Sequence, residues 1–393
     1  MEMGEGKKEE IVVVPFPDGQ GHINPILQFS KSLALKGLKV TVLHVLNTHE
    51  ITDHKKHRDM GVGDSSMKIE VEYRPRVPYK GGDPESEPME SYMQRVKTSI
   101  CFHLGNLLDQ RQISNSPIAC VVYDSLIPWV LDVAAGFGLS GAPFFTESCA
   151  VNAIFYHINR GWLKMSNVMP DETPISLPAL PLLQITDFPS LIQNPRQYPV
   201  FLSSMIHQFS NRPRWMFINT FHALEPQVSS IHLPFSLISL RLFFLLFKSH
   251  SKLLKFLFFK FNERDGDVVK WCSQVQVLAH KSIGCFVTHC GWNSVLEAIT
   301  CGVPMVSMPQ WTDQMTNAKF VEDVWKIGVR VNPKQNGIVR RQEIELCIRK
   351  VMEGKKSLEI RQNATKWMKL AAQDQTSDNN IDDFVTQLTN RVI

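Results

Sequence analysis

Residues 11–45 read IVVVPFPDGQGHINPILQFSKSLALKGLKVTVLHV. They begin with a β-branched run, 11–14, of the kind that is buried in parallel sheets. A turn rich in glycine and proline follows, and apolar residues then recur at helical spacing over 26–36 until Gly37. A second strand is predicted at 39–45. Strand, helix and strand in this order form a βαβ unit, which predicts the start of a doubly wound α/β domain.

The alternation of strands and helices continues as far as residue 219. Further strands are predicted at 69–73, 119–123, 142–146 and 215–219, and helices at 90–109 and 128–136. Ligands in doubly wound sheets bind at the carboxyl ends of the strands, where His22 and Asp124 both fall. These two residues are therefore candidate site residues. The structural alternative for His22 is a histidine that caps a helix or is hydrogen-bonded within a loop.

A second strand–turn–helix–strand pattern lies in the C-terminal half. A strand at 285–288 runs into the turn HCGWNS, 289–294, and then into a helix at 295–300 and a strand at 304–308. The amino end of such a helix is an anion site, because free N–H groups and the helix dipole converge there. Ser294 and Glu297 also have the spacing of a capping box, so a purely structural role would explain both.

Length and composition restrict the class of protein. The chain has 393 residues, more than a single core usually holds, so two domains are expected. With 20% charged and 44% hydrophobic residues, it is neither disordered nor a polytopic membrane protein. A net charge of +4 is too small to indicate nucleic-acid binding. Eight scattered cysteines and no apolar leader or transmembrane span predict a cytoplasmic protein with reduced thiols.

Three motifs in 271–314 carry a family resemblance. WCSQ at 271–274, HCGWNS at 289–294 with Glu297, and PQWTDQ at 309–314 resemble the 44-position signature box of plant secondary-product UDP-glycosyltransferases, glycosyltransferase family 1. The turn around His22, the strand ending at Asp124 and the run 141–146 are similar to the acceptor half of that family. The resemblance implies a GT-B type fold, in which two Rossmann-like doubly wound domains face a cleft.

The resemblance also implies an activity. Members transfer glucose from UDP-glucose, with inversion, to a carboxylate or hydroxyl of a small plant metabolite, and they use no metal and no cofactor. His22 resembles the general base and Asp124 the carboxylate that holds its tautomer. An imidazole suits this role because its ordinary pKa lies near neutral pH. The family further implies a monomer. The acceptor, and whether the product is an ester or an ether glucoside, cannot be read from the sequence.

The same resemblance assigns UDP-glucose binding to ten residues of the C-terminal half. Uracil is assigned to Trp271, with Gln274 nearby; ribose to Glu297; the diphosphate to His289, Asn293 and Ser294; and the sugar hydroxyls to Asp313 and Gln314. Cys272 and Trp292 complete the set. A glutamine at 314 favours glucose over galactose. Phe16, Trp129 and Phe145 are expected to be core residues or walls of the acceptor pocket.

The chain departs from the family in two places. Ser273 stands where the family usually has proline. More severely, residues 226–262 are rich in Phe and Leu, with five Lys or Arg and no acidic residue, where the family places its linker and first donor units. This predicts an acceptor domain at 1–225, an aberrant segment at 226–262 and a partial donor domain with C-terminal helices at 263–393, truncated at its start.

The origin of residues 226–262 has several explanations. A retained intron or faulty gene model, a basic amphipathic surface helix and a diverged linker all fit the composition, whereas the interspersed charges exclude a membrane span. In each case the strand before His289 would lack neighbours, and unpaired strand edges favour aggregation. The alternative function is therefore a truncated, catalytically impaired or inactive glycosyltransferase-like protein that retains at most small-molecule binding.

Overall fold

A computed structural model of the chain describes residues 9–48, 50–51, 69–81, 86–113, 118–164, 173–210, 213–229, 236–240, 269, 272–333 and 337–390. These residues divide into two compact units. The first unit comprises Met1–Ile185, Ser190–Leu240 and Gln375–Ile393, and the second comprises Thr186–Pro189 and Arg241–Asp374. No helix in the described ranges is long and apolar enough to cross a membrane.

Ten strands are formed by the described residues. They are β1 Glu10–Val14, β2 Lys39–Leu46, β3 Ile69–Pro75, β4 Ile118–Asp124, β5 Ser140–Phe145, β6 Trp215–Asn219, β7 Ser236–Leu240, β8 Phe286–Thr288, β9 Met305–Ser307 and β10 Gly328–Arg330.

Thirteen α-helices accompany these strands in the same part of the chain. They are α1 Gln20–Leu35, α2 Met89–Ile113, α3 Val130–Gly136, α4 Cys149–Asn159, α5 Ser190–Gln193, α6 Pro199–His207, α7 Pro226–Ser229, α8 Gln274–Leu278, α9 Trp292–Cys301, α10 Gln314–Lys319, α11 Arg341–Met352, α12 Ser357–Gln373 and α13 Thr376–Thr389. A 3₁₀ turn at Ile185–Asp187 and a π-helix at Phe320–Val324 complete the set.

The first unit is built on a parallel sheet with the strand order β3-β2-β1-β4-β5-β6-β7. Every residue of β1 is buried, as expected for a central strand that is covered on both faces. Helix α1 packs on this sheet through Phe29, whose ring lies 5.5 Å from that of Phe144 and 4.6 Å from that of Phe217. Burial on both faces explains why β1 is an apolar run after its first residue.

The C-terminal helix α13 belongs to the first unit. Phe384 packs edge-on against Trp215 at 5.0 Å, and the Trp215 indole N–H donates to Gln387 Oε1 over 2.9 Å. Lys36, just after α1, also forms an ion pair with Asp382 over 2.6 Å. The sequence predicts these residues to be part of the donor domain, whereas α13 packs within the first unit.

The second unit has a smaller parallel sheet, whose described strands follow the order β10-β9-β8. Its core includes Val306 of β9 together with Cys347 and Val351 of α11. The side chain of Trp292, the first residue of α9, is 2% exposed and lies 6.1 Å from the Trp325 ring. The predicted strand–turn–helix–strand pattern around His289 is therefore present.

Two elements depart from the sequence prediction. Helix α1 begins at Gln20 rather than at residue 26, so His22 lies in its first turn and Pro25 inside it. Strand β7 lies within the segment interpreted as aberrant, and it extends the first sheet by pairing with β6, which was predicted to be the last strand. The compact units consequently divide the chain near residue 240 rather than at 225.

Candidate active site

His22 is held by the turn that joins β1 to α1. Gly19 adopts a φ of 92°, a left-handed conformation that glycine takes without strain, and its carbonyl accepts the amide hydrogens of His22 and Ile23. The Phe16 ring lies 5.4 Å from the imidazole. The His22 side chain is 25% exposed, so a small molecule can reach it.

Asp124 ends β4, the neighbour of β1, and its side chain is fully buried. One carboxylate oxygen lies 2.9 Å from His22 Nδ1, and the other accepts the Leu126 amide hydrogen over 2.9 Å. His22 and Asp124 are 102 residues apart in the chain. The strand order reverses its direction of growth between β1 and β4, and that crevice is where doubly wound sheets bind ligands.

The surroundings of Nδ1 select one tautomer of His22. A buried carboxylate opposite Nδ1 favours a proton on that nitrogen, because a lone pair there would face a negative oxygen. This tautomer carries its lone pair on Nε2, which leaves that atom able to accept a proton. Thr146 Oγ1 also lies 3.0 Å from Nδ1. Thr146, directly after β5, is not among the predicted site residues, although the end of a strand is the same signal that indicates Asp124.

A polar cluster stabilises the turn before His22. Arg76, 6% exposed, donates to Asp18 Oδ2 over 2.5 Å and to Tyr92 OH over 3.3 Å, and Tyr92 donates to the same Asp18 oxygen. Asp18 directly precedes Gly19. The carboxyl ends of β1 and β3 and helix α2 are thereby joined at the turn that carries His22. Sequence analysis missed this cluster, because its members lie in three separate segments.

The turn after β8 is shaped by glycine and by a distant asparagine. Cys290 has a φ of 63°, and its carbonyl accepts a hydrogen bond from Asn317 Nδ2 over 3.0 Å. A Cβ at Gly291 would come within 2.4 Å of His289 Nε2, so a side chain at 291 would displace the imidazole. The exposed His289 therefore stands at the amino end of α9, as the anion-site prediction requires.

Three of the predicted residues are brought together at α8 and α9. Gln274 Nε2 donates to Ser294 Oγ over 3.0 Å and to Glu297 Oε2 over 2.6 Å. Helix α9 begins at Trp292, so Ser294 lies inside it and the capping-box explanation is wrong. Burial raises the pKa of Glu297 to about 7, against the opposing effect of the hydrogen bond from Gln274. The cluster presents a carboxylate that titrates near neutral pH.

Asp313 and Gln314 lie at the amino end of α10. Asp313 accepts hydrogen bonds from Asn317 Nδ2 over 2.6 Å and from Thr312 Oγ1 over 2.8 Å. The Gln314 carbonyl oxygen accepts the amide hydrogens of residues 310 and 311 over 2.8 and 2.9 Å, which sets the orientation of its amide. Asn317 thus links this pair to the turn after β8. Asn317 follows Asp313 by four residues on a helix, and this spacing is the sequence signal that could have indicated their contact.

The remaining predicted residues are placed as follows. Cys272 is exposed, Asn293 is half-buried, the Trp292 side chain is in the core, and Trp271 lies outside the described residues. In the acceptor half, Phe145 is fully buried and stacks on Phe209 at 5.8 Å, so it is a core residue. Phe16 is 6% exposed. The Trp129 indole nitrogen is buried without a hydrogen-bond partner among the described residues.

Comparison with known proteins gives matches over most of the chain. The family described as UDP-glucoronosyl and UDP-glucosyl transferase matches residues 260–371, and the glycosyltransferase N-terminal domain matches residues 8–205. UDP-glycosyltransferase 74E2 of Arabidopsis thaliana is 36% identical over 98% of this chain and 99% of its own length. Mogroside I-E synthase of Siraitia grosvenorii is 37% identical over 99% of both.

A solved structure agrees with these relatives. Os79 from O. sativa, in complex with a trichothecene, has a TM-score of 0.80 and 27% identity over 96% of this chain and 100% of its own, and Os79 has also been solved with UDP. Such proteins use a UDP-sugar as co-substrate and act on small metabolites. With the α/β architecture, the matched families and these relatives together, the chain belongs to the plant family 1 UDP-glycosyltransferases and has their GT-B fold.

Proposed function

We propose that the chain is an inverting UDP-glucosyltransferase that transfers glucose from UDP-glucose to a hydroxyl or carboxylate of a small plant metabolite, with His22 as the general base. The observation that carries this proposal is the 2.9 Å hydrogen bond between His22 Nδ1 and the fully buried Asp124 carboxylate. This pair lies at the crevice of a doubly wound sheet, and its imidazole is one quarter exposed.

The proposed step is a direct displacement. An acceptor hydroxyl gives its proton to His22 Nε2 while its oxygen attacks the anomeric carbon, and the bond from that carbon to the diphosphate breaks to release UDP. The imidazolium that forms is stabilised by Asp124. A carboxylate acceptor is already ionised, so His22 would only orient it.

The β-glucosyl product of a relative supports inversion at the anomeric carbon. A protein 35% identical to this chain is the flavonol 7-O-beta-glucosyltransferase UGT74F1 of Arabidopsis thaliana. Because the glucose of UDP-glucose is α-linked, a β-glucoside requires inversion at the anomeric carbon. A single displacement, with one base and no covalent glucosyl intermediate, is the simplest route to that outcome.

The donor side of the proposal rests on the second unit. The carboxylate of Glu297 is proposed to accept hydrogen bonds from the ribose hydroxyls, and His289 and the amino end of α9 to hold the diphosphate. Asp313 and Gln314 are proposed to bind the sugar hydroxyls. The cluster of Gln274, Ser294 and Glu297 supports this assignment, because three residues assigned to one ligand are in hydrogen-bond contact.

Asp124→Asn tests the tautomer. The amide can donate to Nδ1 and hold the proton on Nε2, so turnover with a phenolic acceptor is expected to fall by about 10²- to 10⁴-fold. UDP release and the configuration of the product, read by NMR, are the measurements. Asp132→Asn, the same change at an exposed position on α3, is the control and should leave turnover unchanged. Full activity in Asp124→Asn would refute the orienting role.

Glu297 predicts a pH dependence of UDP binding. With a pKa of about 7, its carboxyl is mostly ionised at pH 8 and mostly protonated at pH 6. The protonated form loses an acceptor for the ribose, so the affinity for UDP is expected to fall by about tenfold from pH 8 to pH 6. Calorimetric titrations across this range measure the change. The Glu297→Gln variant should bind UDP weakly, and its affinity should vary with pH only through the titration of UDP itself. If the variant shows the same pH dependence as the unaltered chain, the Glu297 carboxyl is not the cause.

A second candidate function is an impaired transferase with weak or no binding of UDP-glucose. The alignment with UDP-glycosyltransferase 74E2 spans 463 positions whereas the chain has 393 residues, so at least 70 positions hold no residue of this chain. Residues 206–259 lie outside both matched families. In the described structure β8 pairs with β9 alone, and its central residue Val287 is 38% exposed. An exposed apolar edge is unusual for a parallel sheet.

A further inference from the structure

Asp187 is a buried carboxylate of the second unit. It ends the 3₁₀ turn Ile185–Asp187, and the segment Thr186–Pro189 belongs to this unit although the residues on either side of it belong to the first. The side chain is 3% exposed. Arg330 Nη2 donates to one carboxylate oxygen over 2.8 Å, and Lys319 Nζ lies 3.5 Å from the other.

Asp187 contacts α10 at two points. Lys319 is the last residue of this helix, and the fully buried hydroxyl of Thr316 donates to the Asp187 backbone carbonyl over 2.7 Å. Helix α10 and the π-helix Phe320–Val324 that follows it directly form one short helical segment, which is marginal alone in water, so its position depends on tertiary contacts. Asp187 supplies such contacts at Thr316 and Lys319.

The amino end of α10 carries the residues assigned to the sugar. Asn317 ties Asp313 to the Cys290 carbonyl at that end, as described above. Asn317 thus ties the residue before the helix to the turn after β8, and Asp187 contacts Thr316 and Lys319 on either side of Asn317. Removing the Asp187 carboxylate leaves Lys319 paired with Asp323 and Arg330 with Glu322, but it takes away a charge-assisted hydrogen bond and the ion pair that tie this part of the unit together.

We propose that Asp187 is a positioning residue for sugar recognition: through Thr316, Lys319 and Arg330 it holds α10 so that Asp313 and Gln314 face the glucose of the donor. The inference rests on the proposed function, because the sugar contacts belong to that proposal. It predicts that loss of the Asp187 carboxylate weakens the binding of UDP-glucose but not that of UDP, because UDP lacks the glucose that Asp313 and Gln314 would bind.

Asp187→Asn tests the inference with two readouts. Amide hydrogen exchange of the peptide 311–319 is expected to accelerate by about tenfold while residues 341–373 are unchanged. By calorimetry, the affinity for UDP-glucose is expected to fall about tenfold and the affinity for UDP to stay the same. Asp323→Asn is the control, because it removes a half-exposed carboxylate 2.7 Å from the same lysine. It should leave both readouts unchanged.

Other outcomes separate the alternatives. Unchanged exchange in 311–319, or equal acceleration throughout the second unit, would overturn the positioning role. If Asp187→Asn does not fold, Thr316→Val replaces it, because this variant removes only the hydrogen bond to the Asp187 carbonyl. Amide exchange of the peptide 311–319 should then accelerate in Thr316→Val. No acceleration would overturn the inference. If the unaltered chain binds neither UDP nor UDP-glucose, the proposed function fails, whereas hydrogen exchange still decides the role of Asp187.

Discussion

Inserting the corresponding segment of UDP-glycosyltransferase 74E2 in place of residues 241–262 is expected to strengthen UDP-glucose binding by about 10- to 100-fold, the effect of one hydrogen bond to a charged group. The family resemblance implies, in this region, a strand and a Ser/Gly turn that contacts the diphosphate. Strand β7 is retained in this design, because it already belongs to the sheet of the first unit. Calorimetric titration with UDP-glucose measures the change.

The control for this chimera is an insert of equal length made of Gly and Ser. Such a linker restores the length but adds neither a strand to pair with β8 nor a diphosphate contact, so its affinity should equal that of the unaltered chain. If the unaltered chain binds UDP-glucose as tightly as the chimera, the impaired-transferase candidate is wrong. A gain with the Gly/Ser linker would mean that length, rather than the inserted strand and turn, limits binding.

His22→Ala in the restored protein is expected to lower glucosyl transfer to a phenolic hydroxyl by about 10²- to 10⁴-fold, the usual contribution of a positioned base. UDP-glucose affinity should not change, because His22 is not among the residues proposed to bind the donor. UDP release and product formation report turnover, and calorimetry reports donor binding. Retained full activity with the hydroxyl acceptor would refute the assignment of the base.

The class of acceptor sharpens this test. An ionised carboxylate has no proton to give up, so transfer to a benzoate should fall much less than transfer to a phenol of similar size. His207→Ala, at an exposed histidine on α6, is the matched control and should leave both reactions unchanged. Equal losses with both acceptors would indicate that His22 shapes the pocket rather than removing a proton.

Most strands and helices followed from local sequence patterns, but several boundaries did not. The turn after β1 is so rich in glycine and proline that a loop was predicted up to residue 26, yet the Gly19 carbonyl begins the helix at Gln20. The Ser294–Glu297 spacing matched a cap, whereas the helix begins two residues before Ser294. In both cases the local pattern allowed two structures, and packing selected one of them.

Segment composition was also misleading at β7. Residues 236–240 lie in the Phe- and Leu-rich segment that is predicted to be aberrant, but they pair in parallel with β6. Similarly, α13 follows the donor half in sequence and packs on Trp215 of the first unit. An amphipathic helix shows which of its faces is apolar, but the sequence does not reveal which apolar surface that face covers.

Local sequence was sufficient for the alternation of strands and helices, for the family motifs and for the choice of His22 and Asp124, because hydrophobic periodicity and strand ends are local properties. Contacts between distant residues required the folded chain. The strand order that sets β1 beside β4 brings His22 to Asp124 and Thr146, and the packing of residues 186–189 into the second unit brings Asp187 to Arg330. Such contacts join segments more than 100 residues apart, and they form because burying both faces of a parallel sheet leaves its carboxyl edge as the place where loops meet.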